Sequence, residues 1–277
     1  MSRSIAWNDY RGAAVLVTGG TKGIGLATGL AFGRRGAEVT LTQKWGSADA
    51  EAVRAAFAAE GAPPPRIIDA DVSQEDDTRA VLAGIREHHD RLTAFVSNVA
   101  LAPTVRGLHE YTRRGLSTAI EYSVWPLISY TRAVKEIFGQ YPRYVVGLSS
   151  QGASTFHLNY DIVAASKAAL EAISRYLNHR LRDEGTRVNV VSTRFVSTDS
   201  LRATLGEDFE AFAERHSPGI FTTPREVGEA VFGLCSGVMD GVGGQVVTVD
   251  RGANVFENFS RLYEERQRGT LQPRSEK

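Results

Sequence analysis

Seven short apolar runs alternate with amphipathic helical stretches along this chain, and that alternation leaves few architectures open to it. The runs cover residues 13–17, 38–42, 66–69, 93–97, 143–148, 187–191 and 245–250. Between them the spacing of apolar positions predicts helices over 24–35, 48–60, 78–89, 118–140, 164–181, 209–215 and 225–236. Strands that are apolar throughout, each followed by a helix, belong in a parallel sheet covered on both faces. The expected fold class is therefore α/β, a doubly wound parallel sheet of seven strands in a single domain. Pro63, Pro64 and Pro65 stand directly before a strand and read as a rigid turn, not a domain linker.

A lead (1–12), one catalytic domain (13–253) and a highly charged tail (254–277) account for the 277 residues. The tail reads as a solvated helix followed by a frayed end. Lys and Arg number 32, equal to Asp and Glu at 32, so there is no global charge to hold nucleic acid or an anionic membrane surface. The single cysteine, Cys235, excludes an internal disulfide framework and reads as a core residue in an apolar helix. No apolar stretch approaches the roughly eighteen residues of a membrane span, and residues 1–11 lack the apolar centre of a secretory signal. A soluble, cytoplasmic protein is expected. His88, His89, His109 and His157 read as surface histidines, without zinc-site spacing.

The first strand runs into Thr18-Gly19-Gly20-Thr21-Lys22-Gly23-Ile24-Gly25, which opens the first helix. Glycines there allow a tight turn, and the helix start offers amide groups to a pyrophosphate. At this first strand-to-helix turn of a Rossmann-type sheet, the pattern points to a dinucleotide. Gly19, Thr21, Lys22, Gly23, Ile24 and Gly25 are the candidate contacts. The second strand ends Thr42-Gln43-Lys44 without a carboxylate. Lys44, with Lys22, is expected to receive a ribose 2′-phosphate, which makes NADPH the expected cofactor. Asp71 and Val72 fit the adenine edge, with a helix cap as the plainer reading of Asp71. Asn98, Val99 and Ala100 close the next strand beside the inner ribose.

The glycine loop, Asp71-Val72, the Asn98 turn and a Ser-to-Lys segment together resemble the short-chain dehydrogenase/reductase family over residues 13–252. That family's chemistry rests on Ser, Tyr and Lys, the last two usually spaced Tyr-x-x-x-Lys. Here Lys167 is preceded four residues earlier by Val163, and the tyrosine stands at Tyr160, a Tyr-x6-Lys spacing. This spacing resembles the enoyl-acyl-carrier-protein and enoyl-CoA reductases. Ser123 in place of a central-helix Asn agrees with that branch. Thr193-Arg194 replaces the usual Pro-Gly, and Arg194 and Phe195 are unusual for either group. The resemblance implies that Tyr160, Lys167 and Ser150 are catalytic. It also implies that Val196 and Thr198 reach the nicotinamide side, with Thr198 at its carboxamide, and that the enzyme is a homotetramer.

Singly, Tyr160 reads equally as a loop packing residue and Lys167 as a surface lysine. Their coincidence with Ser150 favours a site. Residues four and seven apart share a helix face but differ by about one turn in axial position. A displaced acid suits charge that develops two carbons from the hydride acceptor, as in enoyl thioester reduction. The expected activity is reduction of an enoyl thioester on acyl-carrier protein or CoA. A ketoreductase with a displaced tyrosine and a non-catalytic dinucleotide binder are the alternatives. Residues 200–221 are expected to cover the substrate, with Leu201, Leu205, Phe209, Phe212 and Phe221 suited to an apolar acyl group.

Overall fold

The computed structural model describes residues 9–44, 48–217, 219–255 and 258–269. In chain order the elements are β1 (Ala14–Val17), α1 (Gly23–Gly33), β2 (Glu38–Gln43), α2 (Ala50–Ala59), β3 (Arg66–Asp69), α3 (Glu75–Arg86) and β4 (Leu92–Ser97). They continue with α4 (Arg113–Ser123), α5 (Trp125–Phe138), β5 (Tyr144–Ser150), α6 (Asp161–Leu181) and β6 (Arg187–Thr193). The last are α7 (Asp199–Leu205), α8 (Phe209–His216), α9 (Pro224–Cys235), β7 (Val246–Val249) and α10 (Asn258–Gln267). All seven strands are parallel, in the order β3-β2-β1-β4-β5-β6-β7. The winding reverses between β1 and β4, and in such sheets a crevice opens beyond the strands' carboxyl ends at that point.

The pleat sorts the core into two layers. Val15, Val17, Val39 and Leu41 join Phe32, Phe57, Val227 and Phe232 on the face covered by α1, α2 and α9. Leu16, Phe95, Val145 and Val188 join Leu82, Leu127, Tyr130 and Leu170 on the face covered by α3, α5 and α6. Burial of each such side chain contributes about 1.5–3 kcal/mol. Cys235 is buried, as expected, and its carbonyl accepts a hydrogen bond from the Tyr10 hydroxyl. Tyr10 also packs edge-on against Phe32 and Phe232, so the ordered body starts within the expected lead.

One expected element divides. Residues 118–140 form not one helix but the end of α4 and all of α5, with a break at Val124. Pro126 is the cause: it has no amide hydrogen and clashes with the preceding turn, yet fits the first turn of a new helix. β5 and β6 run further than expected, to Ser150 and Thr193, which pair with one another. Of the tail, α10 is described and largely exposed, whereas the end expected to fray lies outside the described residues. No described helix is long and apolar enough to cross a membrane, and the described residues contain no metal-binding cluster.

Candidate active site

The glycine loop between β1 and α1 forms one wall of a cleft of about 1110 Å³ at the carboxyl ends of the strands. Asn98, just beyond β4, holds the loop from behind. Its side-chain amide donates to the carbonyls of Thr18 and Gly19, each at 3.0 Å, and its backbone amide donates to the Thr18 hydroxyl at 3.1 Å. A Cβ at position 25 would lie 2.2 Å from the Gly19 carbonyl oxygen, so only glycine lets α1 start this close to the loop. No side chain caps α1, which leaves its first amides to a phosphate. Thr198, the N-cap of α7, faces Gly23 from across the cleft, and a Cβ there would meet its methyl group at 3.4 Å. Val196 is buried behind it. Thr21, Lys22, Ile24, Val72, Val99 and Ala100 line the same space. The residues present therefore fit a dinucleotide: a backbone cradle, uncapped amides and a long cleft.

At the end of β2 the two residues expected to serve different parts of the cofactor instead meet each other. Lys44 Nζ lies 2.6 Å from Asp71 Oδ2, which also accepts from the Tyr122 hydroxyl at 3.1 Å. Asp71 Oδ1 accepts from both the amide and the hydroxyl of Ser73. Burial pushes the Asp71 carboxyl up, but the donors Lys44, Ser73 and Tyr122 outweigh it and hold the group below its ordinary range. Asp71 does not cap α3, whose N-cap is Gln74. Beside the pair, the buried Gln43 side-chain carbonyl has no hydrogen-bond partner.

The catalytic candidates meet on the other half of the cleft. Tyr160 is the residue immediately before α6, and Lys167 lies in that helix's second turn. Gly152 makes room for the tyrosine, because a Cβ at 152 would stand 2.5 Å from its ring. Burial raises the Tyr160 hydroxyl above its ordinary value, and a hydrogen-bonding contact with Ser150 opposes the rise. Lys167 is buried and donates to the Leu148 carbonyl at 2.7 Å. Burial lowers its ammonium to about 8, with the Glu171 carboxylate pulling the other way. Ser149 in turn donates to Glu171 at 2.6 Å. Val163, where a Tyr-x-x-x-Lys enzyme has its tyrosine, is a buried aliphatic side chain in the cleft wall. Ser123 is buried at the end of α4 with an unpartnered hydroxyl.

The substrate side departs from expectation. His157 is not a surface residue but half-buried, its ring 5.9 Å from Tyr160 and 6.2 Å from Phe195. Burial, and then the charge of Arg194, push its imidazole below the ordinary value. His88 and His109 are exposed, as expected, whereas His89 is largely covered, its Nε2 lying 3.2 Å from Glu38. Phe195 packs on Phe209 and Phe221 at centroid distances of 5.2 and 5.9 Å, and Leu201 and Leu205 extend this wall. Phe212 is turned away, 60% exposed and packed on His216. Sequence reasoning missed His157 and the aromatic role of Phe195, both of them loop residues outside any periodic pattern.

The described fold agrees with a solved structure, a 7α-hydroxysteroid dehydrogenase complexed with NADH and 7-oxo glycochenodeoxycholic acid. The TM-score is 0.79 at 22% identity, over 91% of this chain and 98% of that one. The enoyl-acyl-carrier-protein reductase (NADH) of Aquifex aeolicus is 28% identical over 259 residues, covering 90% of this chain and 94% of that protein. The Escherichia coli enzyme of the same name is 28% identical over 254 residues, 88% of this chain and 95% of its own. Both names specify NADH, which overturns the expectation of NADPH. The physical reason is local: Lys44, expected to meet a 2′-phosphate, has its charge taken up by Asp71. A family model described as enoyl-(acyl carrier protein) reductase matches residues 19–254, and this chain belongs to that family, within the short-chain dehydrogenase/reductase fold.

Proposed function

We propose that this protein uses NADH to reduce the α,β double bond of an enoyl thioester carried on acyl-carrier protein. The observation that carries the reading is the joint placement of Tyr160, Ser150 and Lys167 beside a cleft whose position 163 is aliphatic. NADH is supported by the cleft itself. Lys44, at the end of β2, already has its charge taken up by Asp71. Gly19, Gly23 and Gly25 would cradle the pyrophosphate, and Thr198 the nicotinamide carboxamide.

Bound in that cradle, the reduced nicotinamide would supply a hydride to the β-carbon. Electron density then moves through the α-carbon onto the thioester oxygen, which accepts a hydrogen bond from Tyr160. Burial favours the protonated form of that hydroxyl, so it donates to the enolate oxygen as charge gathers there. Lys167, poised on the Leu148 carbonyl, would shift to the nicotinamide ribose and favour negative charge near Tyr160. Ser150 supports the tyrosine. The α-carbon finally takes a proton from solvent water, giving the saturated thioester.

Crotonyl and acetoacetyl thioesters offered with NADH and with NADPH test this reading. Preferential oxidation of NADH with the crotonyl substrate is expected, and preference for the acetoacetyl substrate would establish a ketoreductase. A homotetramer belongs to the same proposal, since among the described residues β7 ends the sheet with one side unpaired. Sedimentation as a monomer would refute that assembly.

A pH dependence follows from Lys167. Its ammonium is lowered to about 8, so it is charged below that pH and neutral above it. The kcat/KM profile is expected to be level below pH 8 and to fall about ten-fold per unit beyond it. A profile level well past pH 8 would separate Lys167 charge from activity.

A further inference from the structure

Arg194 lines the cleft and has no part in the reaction described above. It follows β6 directly, and its guanidinium donates through Nη1 to the Ala253 carbonyl at 2.8 Å and lies 5.2 Å from the centre of the Phe195 ring. Among the described residues no carboxylate is within ion-pair range of it, although the other arginine of this wall, Arg202, has two, Asp199 and Glu210. One N–H is spent on Ala253, so most of the fork remains uncommitted. A half-buried guanidinium without a counter-ion carries a desolvation cost that an incoming anion would offset.

Its position says which half of the site that anion occupies. From Tyr160 the contacts run through His157 to Phe195 and then to Arg194, on the aromatic wall that Phe195 forms with Phe209 and Phe221. Burial, and then Arg194 itself, disfavour the charged form of His157, which makes it a poor rival for an anion. The Phe195 ring and the Ala253 carbonyl hold the guanidinium in place before anything binds, so little side-chain freedom is lost on pairing.

We propose that Arg194 is a specificity residue that binds an oxyanion of the substrate itself, a carboxylate on the acyl group or the phosphate of its carrier arm. This rests on the enoyl thioester reading and narrows its substrate class. A planar fork takes either group through two parallel hydrogen bonds.

Three substrates separate the sources: crotonyl-pantetheine, crotonyl-phosphopantetheine and glutaconyl-pantetheine, each with NADH. The wild-type enzyme is expected to prefer one anionic substrate over crotonyl-pantetheine by about ten-fold or more in kcat/KM, and the favoured one identifies the source. In Arg194→Gln that ratio is expected to fall towards one, and in Arg194→Lys, which keeps the charge but loses the fork, to stay between the two. Equal kcat/KM for all three in the wild type, or an undiminished ratio in Arg194→Gln, would overturn the proposal. Should none be reduced, the enoyl reading fails by itself. Calorimetry with butyryl-pantetheine, butyryl-phosphopantetheine and glutaryl-pantetheine then decides the subsite: tighter anion binding that depends on Arg194 sustains it, and equal binding ends it.

Discussion

Tyr160→Phe is expected to lower kcat for a crotonyl thioester by about 10²–10³-fold while changing NADH affinity little. The substitution removes one hydroxyl and keeps the ring that fills the space over Gly152, so the start of α6 should hold its shape. What is lost is a bond that strengthens only as charge gathers on the thioester oxygen, which is why the loss falls on turnover. Steady-state kinetics, with a direct NADH titration of the variant, check both halves. Full activity in Tyr160→Phe would remove the tyrosine from the chemistry. Restoring a hydroxyl by adding Val163→Tyr should not recover enoyl turnover, because it would enter about one helical turn away.

Gly25→Ala acts at the other half of the cleft. Its Cβ would stand 2.2 Å from the Gly19 carbonyl oxygen and 2.8 Å from the Asn98 amide nitrogen. Neither can retreat without the other, because Asn98 holds that same carbonyl at 3.0 Å. The loop must open, and each amide bond to a charged phosphate that is lost costs about 1.5–3 kcal/mol, or about ten- to a hundred-fold in affinity. A rise in the NADH dissociation constant of about that size is expected, with a stability loss of about 1–3 kcal/mol from overpacking. Gly233→Ala in α9 provides the control, since nothing beyond the helix's own backbone lies within 4 Å of the new methyl group. Wild-type NADH affinity in Gly25→Ala would show that the loop does not cradle the cofactor.

The strands were legible because a strand buried on both faces must be apolar throughout, and the glycine turn because its backbone needs leave few residue choices. The break at Val124 was equally available, in the form of Pro126, but the apolar face of α5 continues that of α4 and hides it. Lys44 and Asp71 were misread for a different reason. Each stands at the end of its own strand-side segment, and only the parallel pairing of β2 with β3 brings the two side chains together. Their mutual neutralisation is a property of the sheet, invisible in spacing. His157 and Phe195 sit on separate loops whose meeting depends on the ends of β5 and β6, so no periodicity announced them. That Tyr160 and Lys167 line one cleft was readable because seven residues on and beside one helix keep them on a common face.

The fate of a labelled hydride addresses the chemistry itself. Reduction of a crotonyl thioester with NADH deuterated at the transferring position, followed by NMR of the product, is the measurement. The expected result is one deuterium at the β-carbon of the butyryl product and a solvent-derived proton at the α-carbon. Deuterium at the α-carbon, or transfer only to the keto carbon of an acetoacetyl thioester, would contradict the assignment of Tyr160 as the residue that holds an enolate oxygen.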